Sequence, residues 1–204
     1  MKTSSLQNLQ QEKLLKIMDS CLKAQASSLS KMLNRPLKNH LRMILQTKFY
    51  KIEEAISKLL KKQVFAVYVR CEGDLRLELL FFLNISEAKR LATCLLGGKT
   101  QKDFTTIGRS SIAETGNIMA GTFLNALSSK TGLNIQASVP GLAMDSLETI
   151  LGTPVADIIK TAHDVLVIEN EIRSTKDHLV IHSIIMLEPE GARKILQKAE
   201  DYTM

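Results

Sequence analysis

Tryptophan is absent and aromatic residues make up only 4% of the 204 positions, so aliphatic side chains must build most of the core. The scarcity of aromatics also argues against a single-strand nucleic-acid binder, which stacks bases on exposed rings. Only three cysteines occur, Cys21, Cys71 and Cys94, widely spaced and with no CxxC pair. That pattern excludes a disulfide scaffold or a zinc ribbon and predicts reduced, buried thiols in a cytosolic protein. No apolar run approaches the length of a bilayer span, and MKTSSLQNLQQEKLLK contains no apolar signal-peptide core. The expected location is cytoplasmic, with no membrane partner. No GxSxG or Cys–His arrangement suggests a covalent nucleophile.

What is present is an ordinary globular composition, 45% hydrophobic and 24% charged, with an uneven charge distribution. Residues 1 to 62 hold thirteen Lys or Arg against four Asp or Glu, and the remainder holds fourteen against seventeen. The basic third reads as a solvated helix face that could also steer an acidic partner. Nucleic-acid binding would require steep salt dependence and a basic module, and no such module is visible.

Helical periodicity runs over 6–33 and stops at Asn34-Arg35-Pro36. A strand is expected within 37–47 and a short amphipathic helix over 52–61. QVFAVYVRC (63–71) and LRLELLFFL (75–83) read as a hairpin across Glu72-Gly73-Asp74. Ser86 is the expected N-cap of the next helix, and Gly97-Gly98 its stop. The order then repeats. A long helix covers 106–131, a strand 133–139, and a short helix is expected after Pro140. A second hairpin joins 165–172 to 178–187, and a last helix covers 189–200 behind Pro189. A shift of 98 positions lays Ser28-Leu29-Ser30 on Ala126-Leu127-Ser128. The reading is one α+β domain with pseudo-repeats at about 6–98 and 104–204, helices packed on a largely antiparallel sheet.

Ser110, Glu114, Asn117 and Gly121 fall within roughly 60° of arc on the long helix. Ile112, Ile118, Met119 and Phe123 point elsewhere and are expected to bury. A carboxylate and a carboxamide three residues apart reach one small target. The carboxylate pairs with a cation, the amide holds a water in line, and Gly121 leaves room for an incoming loop.

The segment SSIAETGNIMAGTFLNALSSKTGLNIQASVP resembles the signature of the CheC, CheX and FliY chemotaxis phosphatases. That signature is Asp or Ser, three residues, Glu, two residues, Asn, twenty-two residues and Pro. Ser110, Glu114, Asn117 and Pro140 meet every spacing. The resemblance implies hydrolysis of the aspartyl phosphate of the response regulator CheY, with Glu114 and Asn117 catalytic. Glu114 would pair with the regulator's lysine and Asn117 would orient the attacking water, while Ser110 and Gly121 contact the partner. It implies no cofactor of the chain's own, the Mg²⁺ being held by the regulator. It also implies that the deamidase CheD can bind at a helix after Pro140, around Leu142, Asp145 and Leu147.

The first half departs from this pattern. Ninety-eight positions earlier stand Glu12, Lys16, Asp19, Lys23 and Arg42. Lys16 has the wrong sign to meet a lysine, Asp19 lacks the amide donor and Lys23 crowds the position of Gly121. The expected enzyme therefore has one intact site. The alternative is a non-catalytic CheC-like scaffold binding CheD or a regulator; the FliM middle domain, which shares the fold, lacks the Glu–Asn pair. LLGGKT (95–100) is not a P-loop, because it needs Gly where Thr93 stands. His178 and His182 are expected on one side of a strand without a third metal ligand, and Asn84-Ile85-Ser86 matches a glycosylation sequon of no consequence in the cytosol.

Overall fold

The computed structural model describes residues 8–48, 51–52, 62–98, 104–160, 162–176 and 178–201. The helix expected over 52–61 lies almost entirely outside them. The first half contains α1 (Asn8–Leu33), β1 (Leu37–Lys48), β2 (Gln63–Gly73), β3 (Leu77–Asn84) and α2 (Ile85–Leu95). The second contains α3 (Thr106–Thr131), β4 (Ile135–Ala137), β5 (Gly141–Ser146), α4 (Leu147–Ile159), β6 (Asp164–Ser174), β7 (Val180–Leu187) and α5 (Pro189–Asp201).

The seven strands of the described residues join one sheet, in the order β1-β6-β7-β3-β2, with β4 and β5 both on the outer edge of β2. Each of these pairings is antiparallel. The hairpin strands of one half thus pair with the flanking strands of the other: β1 lies on β6, β5 lies on β2, and β3 meets β7 in the middle.

Strand sequences explain the layers. β2, β3 and β7, and the Val165–Ile168 part of β6, are mostly apolar because helices cover both of their faces, whereas β6 continues through the polar Glu169, Asn170 and Glu171. Phe65, Val67, Leu79, Phe81, Ile168 and Ile185 point into a core shared with α1, α2, α3 and α5. The alternating residues Val64, Ala66, Leu80, Phe82, Val167 and Ile184 face α4 instead, through Leu147, Ile150, Leu151 and Ile158. The α4 layer is further tied down by polar contacts. Asp157 accepts from Lys160 (2.8 Å) and Arg70, while the Tyr68 hydroxyl donates to the fully buried Glu78 (2.6 Å) and lies 3.3 Å from Asp157. The Lys160 and Arg70 cations hold the Asp157 carboxyl below the usual range, whereas burial pushes that of Glu78 up.

Two expectations are corrected. The cap of α2 is Asn84, not Ser86: β3 runs directly into the helix, and the Asn84 side chain accepts from Glu87 N (2.8 Å) while Glu87 accepts from Asn84 N (3.2 Å). Ser86 sits inside the first turn and donates to Asn84 Oδ1. After Pro140 comes a strand rather than a helix, because the open edge of β2 offers pairing from Tyr68 to Gln63, and the helix waits until Ser146 caps α4. Pro140, which has no N–H, lies at the break between β4 and β5 on this edge.

Asn84→Ala is expected to cost about 1 kcal/mol in urea unfolding. Ser86→Ala should stay within about 0.5 kcal/mol of wild type.

Candidate functional site

Helix α3 starts at its Thr105 cap, whose hydroxyl accepts from Gly108 N (3.1 Å), and stops at Gly132, which adopts φ 67°. Between these ends its buried face includes Ile112, Thr115, Gly116, Met119, Ala120, Phe123 and Leu124. Gly116 sets how closely the helix approaches the sheet. A Cβ at that position would lie 2.5 Å from Val67 Cγ1 and 2.9 Å from Val67 Cβ, so only glycine allows the observed seating. On the α1 side, the fully buried Gln25 donates its amide to the Met119 carbonyl at 3.0 Å, tying the two long helices together. Thr115, also buried, returns its hydroxyl to Ser111 O (2.9 Å) and so satisfies itself within the helix.

With that face fixed, Ser110, Glu114 and Asn117 are exposed and Gly121 is half-buried. A Cβ on Gly121 would meet nothing within 4 Å among the described residues. Gly121 therefore answers no packing need there and leaves open space one turn beyond Asn117. Among the described residues, neither Glu114 nor Asn117 has a side-chain hydrogen bond or ion pair. Both are free to engage an external group. Beside them, a shallow groove of about 460 Å³ is lined by Met32, Leu95, Ile107, Ser110, Ser111 and Glu114. Ile107 is 66% exposed at its mouth. Among the described residues, no three His, Cys, Asp or Glu side chains converge as metal ligands.

The remaining positions singled out in the sequence lie beyond α3 in the chain, and Leu142, opposite Val67, shares the α3 side of the sheet. Leu142 and Asp145 are on β5, not on a helix. Asp145 stands opposite Val64, and residues directly opposed across an antiparallel pair share a face, so Asp145 is on the α4 side of the sheet, away from α3. Its carboxylate accepts from Ser146 N (2.6 Å). Leu147 begins α4 and is fully buried, which removes it from any contact surface. Pro140 is half-buried at the strand break.

The first-half counterparts are engaged in structure. Asp19 accepts from Asn39 of β1 (3.2 Å) and pairs with Lys23 (2.6 Å); Arg42 donates to Glu171 (2.9 Å). Glu12 and Lys16 are exposed. The two histidines do not share a strand: His178 precedes β7, whereas His182 lies on it, stacked on Phe82 with ring centroids 5.1 Å apart. Cys21 and Cys71 are buried and their thiols are pushed up to about 12 by burial; Cys94 is only half-buried.

Gly116, Val67 and Gln25 were not marked in the sequence. A glycine inside a strong helical pattern was the available sign for Gly116, since it costs about 1 kcal/mol unless close packing requires it. Its partner on β2 was not readable, because register across the sheet depends on distant pairings. Gly116→Ala is expected to destabilise by about 1–3 kcal/mol. Combining it with Val67→Ala should cost less than the sum of the single changes, by about 1 kcal/mol in a double-mutant cycle of urea unfolding.

Comparison with known proteins matches residues 107–144 to the CheC-like family. The CheY-P phosphatase CheC of Bacillus subtilis (strain 168) is 24% identical over 139 residues, 65% of this chain and 66% of that protein. The structure of Thermotoga maritima FliY superposes with a TM-score of 0.76 at 17% identity, covering 98% of this chain and all of that one. The CheX–CheY–BeF3–Mg²⁺ complex from Borrelia burgdorferi gives 0.53 at 20% identity over 83% of this chain and 96% of the other. The FliG–FliM complex from H. pylori gives 0.63 at 16% identity over 95% of this chain and the whole of the matched one. The chain therefore carries the CheC-like signature on α3 and the segment that follows, and it has the fold of the CheC, CheX and FliY proteins.

Proposed function

We propose that this chain hydrolyses the aspartyl phosphate of a CheY-type response regulator, using Glu114 and Asn117 of α3. The observation that carries the reading is the pair itself: two exposed side chains of complementary chemistry, without partners among the described residues, one turn apart on a closely seated helix. Glu114 binds the regulator by pairing with a lysine ammonium beside its phosphorylation site. Asn117 enters that site, and its carboxamide orients a water against phosphorus. The water oxygen bonds to phosphorus as the bond to the aspartyl oxygen breaks. The aspartate leaves as its carboxylate, and the water's proton departs with inorganic phosphate. Such a loose transition state needs positioning and charge neutralisation more than proton abstraction. The Mg²⁺ that neutralises the phosphoryl oxygens would come with the regulator. Gly121 and Ser110 border the contact, and the open space at Gly121 accepts a loop of the partner.

A second reading is favoured by the likeness to FliM in its complex with FliG: a scaffold that binds a regulator, or CheD, without turnover. The two readings separate in one assay. Decay of phosphorylated cognate regulator is expected to accelerate with the wild-type chain. Asn117→Ala should slow it by about 100-fold or more through lost positioning of the water. Glu114→Ala should mainly weaken binding, raising the concentration needed for half-maximal effect by about ten-fold. Binding without acceleration at any concentration would leave the scaffold.

A further inference from the structure

The strongest unassigned feature is on the other long helix. Residues 8–48, which make up α1 and β1, contain eight Lys or Arg and two Asp or Glu, the full net charge of +6 that the whole chain carries. Part of that charge lines a groove of about 570 Å³ between the C-terminal half of α1 and the start of β1. Lys23, Lys31 and Lys38 stand around it, with Ser27 on the wall and Ala26 and Leu37 among its apolar lining. Lys31 and Lys38 are exposed and have no carboxylate partner among the described residues; Lys23 meets only Asp19 there.

The groove is held in shape by the residue that replaces the amide of the second half. Asp19 stands where α3 has Asn117; from α1 it reaches β1 by accepting from Asn39, and within α1 it pairs with Lys23 one turn on. The cations are also particular to this half. At the same offset of 98 positions, Lys23, Lys31 and Lys38 correspond to Gly121, Ser129 and Gln136, none of them charged. A fold requirement would have put similar side chains in both places, so the lysines are not explained by packing.

We propose that this groove docks an acidic segment of a partner protein in extended conformation. Lys23 and Lys31 are about 12 Å apart along the helix axis, a distance spanned by roughly four residues of extended chain, so carboxylates at alternate positions can reach both. Ser27 can donate to a backbone carbonyl, and the apolar lining accepts the aliphatic part of the segment. Charge complementarity selects the occupant. Among the described residues, no aromatic side chain lines the groove to stack a base, and its concavity suits a strand better than a flat lipid surface. The site is separate from Glu114 and Asn117 and does not depend on the phosphatase reading.

The test is fluorescence anisotropy with a labelled peptide of alternating Glu and Ser, against a Gln–Ser peptide, a single-stranded oligothymidine and phosphatidylserine vesicles. Wild type is expected to bind the Glu–Ser peptide and not its neutral counterpart. Lys31→Glu combined with Lys38→Glu should weaken that binding by about ten-fold or more. Lys130→Glu combined with Lys176→Glu makes the same change in net charge at exposed positions outside the groove and should stay within about two-fold. Circular dichroism melting of each variant establishes that it is folded. No binding of the Glu–Ser peptide, an equal loss in both double variants, or tighter groove-dependent binding of the oligonucleotide or vesicles would each overturn the proposal.

Discussion

Helix α3 reaches β2 at Gly116, where the side chain of Val67 occupies the space a Cβ would need. The close approach fixes the rotation of α3 about its axis, and that rotation decides which residues meet solvent. Gln25 adds a second restraint from α1 through the Met119 carbonyl. With the helix held at these points, Ser110, Glu114 and Asn117 project outward, and Glu114 and Asn117 do so without competing partners among the described residues. The proposed hydrolysis would draw on this seating, because catalysis by positioning relies on geometry held before a partner arrives.

The sheet explains how two similar halves can differ in chemistry. α1 and α3 are both 26 residues long and pack side by side over the same face. Yet their outer faces carry different groups. On α3 they are an acid, an amide and a glycine; on α1 they are lysines, with Asp19 tied to Lys23 and Asn39. Fold stability rests on the inward faces, so the outward faces can diverge without cost to the core.

Much of the fold was legible because its strands are buried on both sides and its helices carry clear stop signals. Asn34-Arg35-Pro36 marked the end of the first long helix, and the helical pattern over 106–131 matched α3, whose Thr105 and Gly132 caps are seen in the structure. The segment after Pro140 was misread because its six residues, GLAMDS, have no strong pattern of their own; pairing with β2 makes them a strand. The capping error at Ser86 has a similar origin, since Asn84 is both the last strand residue and the helix cap. The Glu114–Asn117 pair was picked out by the resemblance of its segment to the CheC, CheX and FliY signature, but the seating of its helix was not legible, because Val67 is distant in sequence. Asp145, expected on a helix after Pro140, lies on β5, on the face of the sheet away from α3.

In the proposed function the exposed stripe of α3 is the surface that meets a phosphorylated receiver. The most direct measurement is an NMR titration of the labelled chain with its cognate regulator activated by beryllofluoride and Mg²⁺. The expected result is selective perturbation of the Asn117 side-chain amide and of the backbone amides of Ser110, Glu114 and Gly121. Binding that perturbs other surfaces and leaves these four positions unchanged would contradict it.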